Sequence, residues 1–189
     1  MKKIQSIFLI ALFTIIFSNL LKAQPQKGKF INVAIGLGIS APYDESDISG
    51  SGFYAQGEYV IGLSKWFGLR PYAGVVLASQ VEIDGEKYQT DYKVTSNAFV
   101  FGGKARVLAP IPYIAPYFEI GIGASIGSFQ TYIPQTNISK NGLLMHIPFS
   151  IGLALGRKNN FDVGFTYYFH PDAQQFSGAA AIGFIFPVE

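Results

Sequence analysis

Taken two residues at a time, Phe30 to Ala41 divides into two unlike rows. Ile31, Val33, Ile35, Leu37 and Ile39 form one; Asn32, Ala34, Gly36, Gly38 and Ser40 form the other. A repeat of two marks a β-strand, because successive side chains leave opposite faces. In a water-soluble barrel the bulky row would fill the core and the polar row would meet water. Here the second row is too small and too polar to fill a core. The bulky row is therefore expected to face lipid, with the small residues lining the inside.

Seven further segments repeat the division: Ser51–Leu63, Gly68–Ser79, Val94–Val107, Ala115–Gln130, Leu143–Leu155, Phe161–His170 and Phe176–Phe186. Each is about ten residues or more, the length a tilted strand needs to cross a bilayer. No 3.6-residue stripe competes with the alternation after Ala23. Across the central spans, Asp, Glu, Lys and Arg fall only on the inward row. An outward charge at the bilayer midplane would cost roughly 2–4 kcal/mol, so this asymmetry carries weight. The pattern predicts an all-β chain, a single eight-stranded antiparallel up-and-down transmembrane β-barrel.

Connection lengths orient it. Short turns are expected at Ser64–Phe67, Leu108–Ile114 and Gly156–Asn160, and longer loops at Pro42–Gly50, Gln80–Lys93 and Thr131–Gly142. His170–Gln175 is read as a brief outer loop. Short periplasmic turns and long outer loops are the rule for bacterial outer-membrane barrels. Trp66, Phe67, Phe118, Phe161 and Phe186 are then expected in the periplasmic aromatic girdle. Phe53, Phe129, Phe169 and Phe176 are expected in the outer one.

The chain begins with a different kind of segment. Met1-Lys2-Lys3 is a basic start, Ile4–Leu21 an apolar run, and Ala23 a small residue before a cut at Gln24. That is the layout of a cleaved secretory signal peptide over residues 1–23, leaving the barrel domain at 24–189. Removing Lys2, Lys3 and Lys22 from the 14 basic residues leaves 11 against 12 acids. A near-neutral chain lacks the basic surface that nucleic acid requires. There is no Cys, which removes disulfides and thiolate metal sites. Aromatics at 15% and 21 glycines beside only 14% charged residues suit girdles and a thin-walled barrel.

The last strand ends in Ile182-Gly183-Phe184-Ile185-Phe186, an aromatic alternation followed by Pro187-Val188-Glu189. With the eight alternating segments, this resembles the small eight-stranded outer-membrane barrels of Gram-negative bacteria. The similarity is to the outer-membrane β-barrel domain common among Bacteroidetes and to the OmpA-like transmembrane barrel. The resemblance implies a cell outer-membrane location. It also implies contact with outer-membrane lipid and lipopolysaccharide, and recognition of the C-terminal strand by the barrel-insertion machinery. Members range from porin-like to adhesive, enzymatic and structural proteins, so fold leaves function open.

Candidate chemistry lies on the inward row. Glu58, Arg70, Lys104, Glu119 and Asp162 all point inward by parity. Buried charges must pair or stay hydrated, and eight strands leave an interior about wide enough for side chains. A charged plug is the expected reading, a gate or ion path the other. Above it, small residues leave Tyr54, Gln56, Ser125, His146 and Tyr168 as candidate contacts for a small amphipathic ligand. This makes a carrier or sensor the alternative to a structural or surface-interaction role. A lipid A-modifying enzyme of the deacylase type needs a His-x-Ser pair on a lipid-facing strand. His146 is followed by Ile147 and Pro148, with Ser150 four positions on, and His170 precedes Pro171-Asp172, so no catalytic residue is assigned. Asp44, Glu45, Asp47, Glu82, Asp84, Glu86 and Asp91 read as solvated acidic loops without a calcium-loop pattern. No metal or cofactor is expected.

Overall fold

The two-residue repeat is realised as eight strands: β1 Gly28–Pro42, β2 Gly50–Gly62, β3 Phe67–Gln80, β4 Lys93–Leu108, β5 Tyr113–Ile133, β6 Thr136–Gly156, β7 Phe161–His170 and β8 Gln175–Pro187. A 3₁₀ turn, Pro171–Ala173, links the last two. The structure is a computed structural model and describes residues 27–42, 49–80, 93–133, 136–173 and 175–188. Each strand pairs antiparallel with its neighbour in sequence, and β1 closes on β8, so the sheet is a barrel without edges. The expected signal peptide and the acidic loop residues Asp44, Glu45, Asp47, Glu82, Asp84, Glu86 and Asp91 lie outside the described residues.

Closure sets the tilt. From Asn32 the pairing runs through Glu58, Tyr72, Gly102, Gly123 and His146. One step beyond the Ile147↔Phe169 pair places His170 opposite His146, and Gln175 then leads back to Pro42. The path returns to β1 ten residues beyond its start, between Asn32 and Pro42. Such a stagger tilts the strands by about 35–45° and fixes a lumen that side chains can fill.

The faces fall as the alternation predicts. Leu37, Ile122, Leu143 and Ile151 are each more than 60% exposed on the outside, whereas Tyr54, Val76, Val100, Leu144 and Tyr168 are buried within. Among the aromatics assigned to girdles, Phe53, Phe118 and Phe186 are exposed on the outer wall, and Trp66 is exposed in the turn before β3. Phe129 departs from that assignment. It is 1% exposed and packs on the His170 ring at 4.8 Å inside the barrel. It shares the parity of Glu119, and strand parity prevails over the aromatic-girdle expectation.

At one end the turns are tight. Ser64 Oγ accepts the Phe67 and Trp66 N–H groups at 3.0 and 3.3 Å. Asn159 takes a left-handed φ of 51°, which its short amide tolerates, and donates to the Ala154 carbonyl at 2.9 Å. The opposite end differs from expectation at one loop. Thr131–Gly142 is largely strand: β5 runs on to Ile133 and β6 restarts at Thr136. Past the apolar band neither face of a hairpin needs hydrocarbon side chains, so the alternation fades while the backbone ladder continues.

Candidate functional site in the lumen

Six ionisable residues meet inside the barrel, three acids and three bases. Glu58 comes from β2, Arg70 from β3, Lys104 and Arg106 from β4, Glu119 from β5 and Asp162 from β7, and none exceeds 6% exposure. Arg70 reaches Glu58 at 2.5 Å, with Glu119 and Asp162 each at 3.5 Å. Lys104 bridges Glu58 and Glu119 at 2.6 and 2.8 Å. Arg106 bridges Glu119 and Asp162 at 2.5 and 2.8 Å, and its guanidinium lies 3.6 Å from the centre of the Tyr117 ring. Every cation therefore touches two or three carboxylates, and formal charge sums to zero within the group. This balance is what permits six charges to be desolvated together.

The parity argument places Glu58, Arg70, Lys104, Glu119 and Asp162 inside, and the structure brings all five together. Arg106 was missed. It continues the Lys104 row by two residues, so extending the alternation to the end of the fourth segment would have found it.

A second network continues upward. Gln56 and Asn32 donate to the two Glu58 oxygens at 2.7 and 3.1 Å. Tyr168 donates to Gln56 Oε1 at 2.6 Å, which leaves the Tyr54 hydroxyl, 3.2 Å away, to donate to the Tyr168 oxygen. Higher still, Ser125 Oγ lies 2.7 Å from His146 Nδ1 and 2.9 Å from His170 Nε2. The Tyr72 hydroxyl meets His146 Nε2 at 2.5 Å. A hydroxyl has one proton, so Ser125 donates to one imidazole and accepts from the other. Gly123 makes this possible: a Cβ there would collide with Tyr72 OH and His146 Nε2. Gly152 and Gly164 likewise leave room for the Tyr117 ring and hydroxyl.

The five candidate ligand contacts, Tyr54, Gln56, Ser125, His146 and Tyr168, are all buried and bonded to one another or to neighbouring lumen residues. His170 is the last residue of β7, where the seventh alternating segment ends, and is buried against Ser125. Its even number puts it on the inward row with Asp162 and Tyr168. Ser150 pairs with Thr166 at 3.0 Å rather than with His146. Among the described residues no three His, Cys, Asp or Glu side chains converge as metal ligands.

Comparison with solved structures places this architecture among small outer-membrane β-barrels. Neisserial surface protein A superposes with a TM-score of 0.58 at 12% identity, over 86% of this chain and 98% of that one. The outer membrane protein OprG from Pseudomonas aeruginosa gives 0.52 at 10% identity, over 88% and 99%. At such identities the likeness is one of fold. No family model matches the chain, and no curated protein sequence matches it.

Proposed function

We propose that the protein resides in the bacterial outer membrane as a barrel with a structural or surface-interaction role, its lumen closed to all but very small solutes. Its outer wall is hydrocarbon over the strand lengths a bilayer requires, which supports the location. One observation carries the closed lumen: the six-residue ion-pair group and the Gln56–Tyr168–Tyr54 network above it connect β1, β2, β3, β4, β5 and β7 across the interior. A solute larger than a few waters would have to break several charge-assisted bonds at once.

The outer loops then carry whatever recognition the protein performs, and the wall and lumen hold them in place. The likeness to Neisserial surface protein A is compatible with a surface role, and the finer resemblance to the Bacteroidetes-type domain rests on the sequence elements quoted above. We place lipid A chemistry outside this reading: Ser125, the hydroxyl held between two imidazoles, faces the lumen and not the acyl chains.

Planar-bilayer recording of the purified, folded protein tests the closed lumen. The expected record has no sustained porin-scale steps. Such steps, or sugar uptake by vesicles carrying the protein, would refute it.

A further inference from the structure

We infer that the mouth at the short-turn end binds a small amphipathic anion, a short apolar body carrying a carboxylate or phosphate. A cavity of about 80 Å³ opens there, walled by Phe30, Val60, Trp66, Phe67, Leu108 and Ile185. On a scale where one water needs about 10–15 Å³, it has room for a ring or a short alkyl segment. A mouth that only met water would gain nothing from such walls, since apolar surface is hydrated at a cost.

Charge selects the sign of the ligand. Lys65 and Lys158 stand at the cavity, and Lys27, Lys29 and Arg157 are exposed at the same end. Among the described residues that rim holds no acid. The nearest carboxylates, Glu119 and Asp162, lie deeper and are held by Lys104 and Arg106. Arg70 and Arg106 form the cavity floor but already have carboxylate partners, so among the described residues the rim lysines supply the positive potential that no acid offsets. A low-dielectric wall beside them focuses that potential into the opening.

Trp66 is the only tryptophan of the chain and lines this cavity, so indole emission is the signal to follow. Folded protein in detergent would be titrated with 6-bromohexanoate, 6-bromohexyl phosphate and 6-bromohexylammonium, whose bromine quenches indole on contact. Saturable quenching by either anion or both, at least tenfold weaker for the ammonium, is expected; the two anions separate a carboxylate ligand from a phosphate one. Lys65→Glu with Lys158→Glu, checked for folding by gel migration before and after heating, should lose the saturable phase. Equal, non-saturating quenching by all three probes would mean partition into the micelle and would overturn the inference. So would full competition by inorganic phosphate and acetate at the same concentrations, because the apolar walls would then contribute nothing.

Discussion

Glu119 sits where the ion-pair group is most exposed to a single change. It contacts Arg106 at 2.5 Å, Lys104 at 2.8 Å and Arg70 at 3.5 Å, and is 1% exposed. Glu119→Gln keeps the shape and one carbonyl acceptor but leaves three cations facing two carboxylates. Breaking a buried pair from one side costs about 3–5 kcal/mol, because the surviving charge stays desolvated. Lys104→Met alone should cost a similar amount by leaving three carboxylates against two cations. The double variant restores neutrality: Glu58 and Asp162 remain against Arg70 and Arg106, which still reach them at 2.5, 2.8 and 3.5 Å. It should be less destabilised than either single variant. Urea unfolding in phospholipid vesicles, followed by Trp66 emission, measures all four corners of the cycle. Because the group is buried, the loss should persist between 0.1 and 1 M salt, a range over which a surface pair fades. Strict additivity within about 0.5 kcal/mol would show that the charges do not act as a unit. A salt-sensitive loss would show that they are hydrated.

Five other substitutions probe separate parts of the structure. Gly123→Ala drives a Cβ into Tyr72 OH and His146 Nε2 and should destabilise by about 1–3 kcal/mol. Gly103→Ala, on the outer face with nothing within 4 Å, should stay within about 0.5 kcal/mol in the same unfolding assay. Ile122→Arg, at a 71% exposed outer site in mid-strand, should cost about 2–4 kcal/mol in a bilayer. Val107→Arg, near the turn end, should cost about 1 kcal/mol or less; equal values would refute the depth assignment. Ser125→Ala removes the hydroxyl both imidazoles use and should cost about 1–3 kcal/mol for each ring nitrogen left unpaired. A loss below 0.5 kcal/mol on equilibrium unfolding would mean water replaces it without penalty.

Much of this architecture was readable because a bilayer imposes a strict rule on one face only. Lipid tolerates no charge at mid-depth, so Ile31 to Ile39 or Ile120 to Ile126 declare their side, and parity assigns every residue between them. Errors arose where another expectation displaced parity. Aromatic character assigns Phe129 to a girdle, and Arg106 lies two residues past the last inward position counted on the fourth row. Both are inward by simple counting. The long β5–β6 hairpin could not be read this way, since from Gln130 to Gly142 polar and apolar residues mix without alternating.

Which inward residue meets which is a separate matter, because it depends on stagger and not on parity. Arg106 and Asp162 are 56 residues apart and on strands that are not neighbours, yet bond at 2.8 Å. The ten-residue offset around the barrel is what brings them to one height, and a two-residue change in it would preserve every face while carrying Asp162 about 7 Å along its strand. Glu119 would then keep its cross-strand partner Arg106, but Arg106 would lose the carboxylate that completes its pairing, and Asp162 would be buried without a cation. Lipid-facing residues cannot distinguish the two staggers, since hydrocarbon meets hydrocarbon in both. The ion pairs can, at several kcal/mol for each orphaned charge. The buried group thus selects the stagger that the outer wall leaves undetermined, which predicts that neutralising all six positions together would leave a barrel able to insert but no longer held to one closure register. Cross-linking cysteines placed at the Ile39↔Gly178 pair would read that change: efficient disulfide formation in the otherwise native chain, and formation divided with a pair shifted by two residues in the neutralised one. Undivided cross-linking at the native pair would place the register in the backbone and turns instead.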